Sequence, residues 1–255
     1  MRLQLHLDKQ SSERQLKSMP LLTGETEEMV LGLYDMGEIG YVDAPGPDAQ
    51  VADPDYPEEV FRRLKSGRMS PHYVNCRNIS GLSPHSPVPM DKQLHTRELV
   101  VDHLSALLDE NETANHLLGI PQAMTTLAAM VAQRRGTSVL WLRVPEEGKK
   151  AYGAHDAVQG AYAAGESVEA IDNVITDGAS KLEVVSPLSE VGLQVLGFSA
   201  LVDREEGGRE AVEAAGYRFS AVIGMRQIVA ILAESRRITP QQAEWDAMYR
   251  ERHFG

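Results

Sequence analysis

Between residues 114 and 223, short apolar segments alternate with segments whose apolar residues recur at helical spacing. The strand candidates are 114–120, 137–144, 167–171, 194–202 and 218–223, and the helical patterns cover 125–135, 180–192 and 209–216. Strands that alternate with helices of about ten residues indicate right-handed βαβ units and a parallel sheet. The alternation therefore predicts an α/β fold in which helices cover both faces of a parallel sheet. Glu169 is the exception, because it interrupts a strand that should be continuously apolar.

The composition narrows the classes of protein that this chain can represent. The 255 residues carry a formal net charge of −12, which argues against a protein that coats nucleic acid or an anionic membrane. One cysteine excludes an internal disulfide framework and a cysteine-rich zinc site. No apolar run approaches the roughly 20 residues that span a bilayer, and the first residues lack the apolar segment of a secretory signal. We therefore expect a soluble, cytoplasmic protein.

The segment 171–180, Ile-Asp-Asn-Val-Ile-Thr-Asp-Gly-Ala-Ser, joins a predicted strand to a predicted helix. Ligands of open α/β sheets bind at the carboxyl ends of the strands, which is where this segment lies. Successive backbone N–H groups at 178–180, together with the helix dipole, would suit a phosphate. Asp172 could accept hydrogen bonds from vicinal sugar hydroxyls. A plain helix N-cap would give the same pattern.

Three segments together resemble the orotate phosphoribosyltransferases, a family of type I phosphoribosyltransferases. The segment 171–180 is similar to their phosphoribosyl-diphosphate motif. The segment 64–75, Leu-Lys-Ser-Gly-Arg-Met-Ser-Pro-His-Tyr-Val-Asn, is similar to their substrate-side hairpin, and 202–208, Val-Asp-Arg-Glu-Glu-Gly-Gly, to their Asp-Arg-x-x-Gly-Gly turn. The resemblance runs in the family's order from about residue 26 to residue 232.

This resemblance implies a role for individual residues. On the base side, it implies that Lys65, Tyr73, Val74, Thr176 and Arg204 bind the substrate. On the phosphate side, it assigns the 5′-phosphate to Thr176, Asp177, Gly178, Ala179 and Ser180, and pyrophosphate to Ile120, Pro121, Gln122 and Lys149. It further implies that Asp172 and Lys150 are catalytic, with Lys150 on a mobile loop (149–153) neutralising the departing pyrophosphate.

The resemblance also implies an activity and a domain organisation. The family transfers a phosphoribosyl group from phosphoribosyl diphosphate to orotate, giving orotidine 5′-phosphate and pyrophosphate in pyrimidine synthesis. It implies a homodimer and Mg²⁺ held mainly by the diphosphate substrate, with no metal ligands from the protein. We divide the chain into an extension (1–25), a helix with an acidic Pro-rich insertion and a hood (26–113), the phosphoribosyltransferase core (114–235) and a helical tail (236–255).

Several residues depart from the family's pattern in charge. Asn173 replaces the second acid of the motif, and Asp177 places a carboxylate in the phosphate turn. Glu146 and Glu147 stand near the expected Arg-Lys pair of the loop, and the pyrophosphate turn has no lysine after Gln122. A second hypothesis therefore remains open, in which a catalytically impaired or repurposed paralogue binds nucleotides or acts on another base.

Overall fold

The computed structural model describes residues 24–43, 55–64, 67–111, 113–121, 123–143 and 157–254. Its N-terminal part contains one helix and four short strands. These are α1 (Gly24–Asp35), β1 (Ile39–Tyr41), β2 (Arg62–Arg63), β3 (Met69–Ser70) and β4 (His72–Val74). Strands β1 and β4 pair antiparallel, as do β2 and β3, so these segments form two small ladders. These strands lie within residues 26–113, the region for which the sequence analysis predicts a hood, and are called the hood below.

The remaining elements contain the predicted alternation of strands and helices, together with a strand and two helices that the sequence analysis did not predict (158–159, 90–109 and 225–234). They are α2 (Met90–Asp109), β5 (His116–Gly119), α3 (Thr125–Arg135), β6 (Ser138–Leu142), β7 (Val158–Gln159), β8 (Ser167–Ile175), α4 (Ala179–Leu182), α5 (Val185–Glu190), β9 (Gln194–Asp203), α6 (Gly208–Ala214), β10 (Arg218–Gly224), α7 (Met225–Glu234) and α8 (Pro240–Phe254).

A six-stranded sheet with the order β10-β9-β8-β5-β6-β7 forms the centre of the molecule. All neighbouring strands are parallel except the edge strand β7, which pairs antiparallel with β6. Strand β6 lies on one side of β5, whereas β8, β9 and β10 follow one another on its other side, so the direction of the strand order reverses between β5 and β8. Because ligands of such sheets bind outside the carboxyl ends of the strands at this reversal, the topology places a ligand site after β5 and β8.

Apolar clusters cover both faces of the sheet. One cluster joins α1, α2, α3 and α7 to side chains such as Leu117 and Ile171, and the other joins α5 and α6 to side chains such as Leu118 and Phe198. The alternation of Leu117 and Leu118 across β5 shows why each strand has apolar residues on both faces. The predicted α/β architecture is therefore confirmed.

Two elements differ in extent from the sequence prediction. Strand β8 continues to Ile175 instead of ending at 171, and the helix expected over 180–192 is split into α4 and α5. Pro187 explains the split, because it has no N–H to donate to the carbonyl of Glu183 and its ring would clash with that carbonyl. In the first turn of α5, the missing N–H costs nothing.

Glu169 is buried in β8 and has partners on β9 and on β10, the next strand beyond β9. Its Oε1 accepts a hydrogen bond of 2.7 Å from Ser199 Oγ, and Oε2 lies 2.6 Å from Arg218 Nη2. Gly197 pairs with Glu169, and a Cβ added there would lie 3.3 Å from Oε2 and 2.8 Å from the Arg218 carbonyl oxygen. Burial raises the pKa of Glu169, while Ser199 and Arg218 oppose that rise. The charge that interrupts the apolar strand is thus held by residues far away in sequence.

Helix α8 begins at the predicted capping box and covers the hood. The backbone N–H of Thr239 donates to Gln242 Oε1 at 2.9 Å, and the backbone N–H of Gln242 donates to Thr239 Oγ1 at 3.2 Å. Further along α8, Trp245 Nε1 donates to the carbonyl of Asp55 at 2.8 Å. A separate aromatic cluster joins the two parts, and its buried members are Tyr56, Phe61, Trp245 and Tyr249. Helices within the described ranges are too short or too polar to cross a membrane.

Candidate functional site

A cleft of about 1370 Å³ opens at the carboxyl ends of β5 and β8. Its walls come from β2, β4, the turns after β5 and β8, and the end of β9. Eight residues that the sequence assigned to the site line it: Tyr73, Val74, Ile120, Pro121, Asp172, Thr176, Asp177 and Arg204. The fold therefore brings together the three segments that carry the family resemblance. Lys65, Gln122, Lys149 and Lys150 lie outside the described residues.

The turn after β5 depends on a glycine. A Cβ added to Gly119 would lie 2.5 Å from the carbonyl oxygen of Met124, so a larger residue would push the turn away from α3. The N–H of Ile120 donates to the carbonyl of Ile171 at 2.8 Å, which fixes the turn against β8. The backbone predicted to cradle pyrophosphate is thus held beside the end of β8.

The turn after β8 also depends on close packing. Gly178 has a φ of +78°, and a Cβ there would lie 2.9 Å from the carbonyl oxygen of Gly208. A Cβ on Gly208 itself would lie 2.5 Å from Ile175 Cγ1 and 2.7 Å from the Thr176 carbonyl oxygen. Helix α6 can therefore approach the turn only because both positions are glycines. The predicted phosphate segment 176–180 forms this turn and the start of α4, and Asp177 in it is exposed.

Arg204 is a buried cation that lines the cleft. Its Nε donates to Glu206 Oε1 at 2.8 Å, and its Nη2 donates to Ser70 Oγ at 3.2 Å. Glu206 also accepts from Arg68 Nη2 at 2.8 Å through Oε2. Only 3% of the Arg204 side chain and 1% of the Glu206 side chain are exposed. These contacts fix the plane of the guanidinium group, which is what recognition of a planar carboxylate requires.

His72 and Asp246 form a second buried pair behind Arg204. His72 Nδ1 lies 2.8 Å from Asp246 Oδ1, and Arg250 Nε lies 2.8 Å from Asp246 Oδ2. Burial lowers the pKa of His72, although contact with Asp246 opposes this. Burial opposes the charged form of Asp246 as well, but His72 and Arg250 outweigh it and hold the pKa of Asp246 below its ordinary value. His72 thus joins β4 to helix α8 through Asp246.

The cleft carries more positive charge than the sequence analysis expected. Its described lining contains six cationic side chains and three carboxylates, although the whole chain has a net charge of −12. Five of these cations were not predicted as site residues: Arg62, Arg63, Arg77, Arg143 and Lys181. Arg62 also lies over the ring of Tyr73, with 5.0 Å between its Cζ atom and the ring centroid. The sequence does not single out these five residues, because they come from separate segments that only the folded sheet brings to one cleft.

Asp172 and Lys181 form an ion pair inside the cleft, where their side chains are 8% and 11% exposed. Burial raises the pKa of Asp172, and Lys181 is the main opposing influence. The other carboxylate oxygen, Oδ1, accepts a hydrogen bond of 2.7 Å from the N–H of Asn173. The amide of Asn173 donates to the carbonyl of Asn75.

The described residues do not fit a magnesium ion held by the protein. Mg²⁺ prefers oxygen ligands in octahedral geometry. Here, an ammonium contacts the Asp172 carboxylate, and an amide replaces the second acid of the motif. Within the described ranges, no group of three histidine, cysteine, aspartate or glutamate side chains is arranged to hold a metal ion.

No family model matches the sequence. An orotate phosphoribosyltransferase of Aquifex aeolicus is 29% identical over 180 residues, covering 71% of this chain and 90% of the relative. A uridine 5′-monophosphate synthase of Bos taurus is 28% identical over 186 residues, covering 71% of this chain. The alignment covers 35% of that synthase, so the chain spans about a third of its length.

Solved structures resemble most of this chain. A UMP synthase of Leishmania donovani superposes with a TM-score of 0.68 and 22% identity, covering 89% of this chain and 42% of that one. An orotate phosphoribosyltransferase of Mycobacterium tuberculosis in complex with 5-phospho-α-D-ribosyl 1-diphosphate superposes with a TM-score of 0.54 and 19% identity, covering 80% of this chain and 98% of that one. The chain thus has the type I phosphoribosyltransferase fold and is homologous to orotate phosphoribosyltransferases.

Proposed function

We propose that this protein is an orotate phosphoribosyltransferase, which transfers the phosphoribosyl group of phosphoribosyl diphosphate to orotate and releases pyrophosphate. The observation that carries the proposal is the cleft, whose lining includes Arg204, Tyr73 and the turn after β8. A guanidinium group suits a planar carboxylate, and a turn at the end of a parallel strand suits a phosphate-bearing substrate. Homology to orotate phosphoribosyltransferases supports the proposal further.

The charges of the cleft suit the proposed reaction. Displacement of pyrophosphate builds positive charge on the ribose and negative charge on the leaving group. Asp172 supplies a carboxylate beside the ribose, and Arg77 and Arg143 supply cations on the walls of the same cleft. Arg204, with its orientation fixed by Glu206 and Ser70, holds the carboxylate or the ring oxygens of orotate. Lys149 and Lys150 complete the cation set as predictions from the resemblance.

Three further features belong to the same proposal. We propose that any Mg²⁺ enters with phosphoribosyl diphosphate and is held by its phosphate and ribose oxygens. We propose a homodimer in which loop 149–153 closes over the site of the partner subunit. A cytoplasmic location remains the expectation stated from the sequence.

The activity is tested by the loss of orotate absorbance on addition of phosphoribosyl diphosphate. We expect turnover by the wild type and a fall in kcat/KM of about a hundredfold in Arg204→Met, because a charge-assisted bond to the base is lost. The exposed Arg226→Met, which removes an equal charge outside the cleft, serves as the matched control. Absence of turnover and of any thermal shift with either substrate would refute the proposal. Substrate binding without turnover would instead favour the nucleotide-binding paralogue.

A further inference from the structure

Lys181 lies one residue beyond the predicted phosphate segment, in the short helix α4, and its side chain turns back to the end of β8. Its Nζ contacts Asp172 Oδ2, and both residues line the cleft. Neither the motif nor the predicted site includes this lysine. Its position at the carboxyl end of the central strand is nevertheless where the proposed ribose and diphosphate groups would bind.

The polar atoms around this strand end already have partners. Asp172 Oδ1 accepts from the N–H of Asn173, and Oδ2 contacts Lys181. Asn173 Oδ1 accepts from the N–H of Val174 at 2.9 Å, and its Nδ2 donates to the carbonyl of Asn75. A divalent cation bound at Asp172 would have to displace the ammonium group of Lys181. The charge that a metal ion would bring is thus already supplied by a side chain.

Two features make the ammonium group suitable for a phosphate oxygen. It has three donors, so it can contact Asp172 and a phosphate oxygen at the same time. Arg77 lines the same cleft and also acts electrostatically on Asp172, so the carboxylate faces two cations. The pair and Arg77 together carry a net positive charge, which attracts a polyphosphate.

We propose that Lys181 binds the diphosphate group of phosphoribosyl diphosphate and takes the place of a divalent cation beside Asp172. This inference rests on the proposed function, because it identifies how the same cleft holds its anionic substrate. It assigns to Lys181 the positive charge that the pyrophosphate turn lacks after Gln122. The protein then binds phosphoribosyl diphosphate with little dependence on Mg²⁺.

The test is isothermal titration calorimetry with phosphoribosyl diphosphate, in excess EDTA and in excess Mg²⁺. For the wild type, we expect the Kd in EDTA to be within about threefold of the Kd in Mg²⁺. Lys181→Met keeps the length and apolar stem of the side chain but removes its charge. We expect this variant to bind at least about tenfold more weakly in EDTA, and Mg²⁺ to recover much of the loss because the Asp172 carboxylate becomes accessible.

Two controls separate charge from folding. Lys92→Met removes the charge of an exposed lysine on α2, away from the cleft, and leaves both Kd values unchanged. Lys181→Arg keeps the charge and retains binding in EDTA to a greater extent than Lys181→Met. Thermal unfolding of each variant shows whether its fold is intact. If Lys181→Met does not fold, the role of Lys181 is decided by comparing the Kd values of the wild type and of Lys181→Arg in EDTA with those in Mg²⁺.

The outcomes distinguish this inference from the proposed function. Wild-type binding that requires Mg²⁺ and is equal in Lys181→Met would overturn the role of Lys181, while turnover of orotate would leave the proposed function intact. Metal-independent binding that depends on Lys181, without turnover of orotate, would support the inference and refute the proposed reaction. Absence of binding to phosphoribosyl diphosphate in both conditions would refute both.

Discussion

Glu206→Gln tests whether the orientation of Arg204 depends on a buried carboxylate. Glu206 is 1% exposed and lies between two guanidinium groups, with Oε1 2.8 Å from Arg204 Nε and Oε2 2.8 Å from Arg68 Nη2. The substitution keeps the size of the side chain. It removes the negative charge and places an amide N–H₂ group against a cation.

The size of the effect follows from the burial of the pair. Breaking a buried ion pair by removing one partner typically costs about 3–5 kcal/mol, and retention of one acceptor in glutamine places the expected loss near 3 kcal/mol. Arg204 and Arg68 then compete for the one amide oxygen of the substituted side chain, and Ser70 stays the other described side-chain acceptor of Arg204. We expect the KM for orotate to rise about tenfold, which corresponds to about 1.4 kcal/mol, while the KM for phosphoribosyl diphosphate stays nearly constant.

Urea denaturation and steady-state kinetics measure the two effects. Glu213→Gln is the matched control, because Glu213 is 51% exposed and lies 3.6 Å from Arg209. An exposed pair of this kind contributes about 0.5 kcal/mol or less. If Glu206→Gln unfolds at the same urea concentration as Glu213→Gln and leaves the KM for orotate unchanged, Glu206 does not position Arg204.

Three other substitutions have expected outcomes. His72→Phe flattens the fall in stability as the pH drops just below about 6.5: burial lowers the pKa of His72 in the folded protein, so its imidazole is protonated first in the unfolded wild-type chain, which costs up to about 1.4 kcal/mol per pH unit. Urea denaturation at pH 7 and 5.5 measures this difference. Gly208→Ala overpacks the β8 turn and costs about 1–3 kcal/mol, with weaker phosphate binding by calorimetry. Asp177→Thr strengthens phosphoribosyl diphosphate binding. Asn173→Asp weakens it, because it places a second charge beside Asp172 and loses the donor to the Asn75 carbonyl. A Kd for phosphoribosyl diphosphate equal to that of the wild type would contradict either expectation.

The last of these outcomes changes an interpretation made from the sequence alone. There, Asn173 represents the loss of a useful acid. In the structure, its amide fastens β8 to the segment after β4, which is a role that a carboxylate cannot fill at the same carbonyl. The pairing joins residues 98 positions apart, so no local pattern indicates it.

The alternating core elements and the position of the cleft could be predicted because they depend on periodicity and on motifs. The alternation over 114–223 determines the sheet, and the reversal between β5 and β8 determines the edge at which Asp172 and Thr176 lie. The capping box at Thr239 is equally local. Such features depend on residues close together in sequence.

The charge balance of the cleft could not be predicted, because it depends on long-range proximity. Arg77 and Lys181 reach one cleft from segments that have no common pattern. Glu169 in β8 looks misplaced until Arg218 of β10 lies beside it. A net charge describes the whole surface, whereas a binding site depends on which few charges the fold places together.

The contact between helix α8 and the hood has a consequence for biosynthesis. Trp245 and Asp55 are 190 residues apart, so the hood segment emerges from the ribosome roughly 10–40 s before its partner at ordinary translation rates. During that interval Tyr56 and Phe61 lack the aromatic ring of Trp245 that covers them in the finished protein. Tyr56 and Phe61 are thus among the first described residues to be synthesised and among the last to acquire their final packing, and a nascent chain stalled before α8 would expose their rings to chaperones.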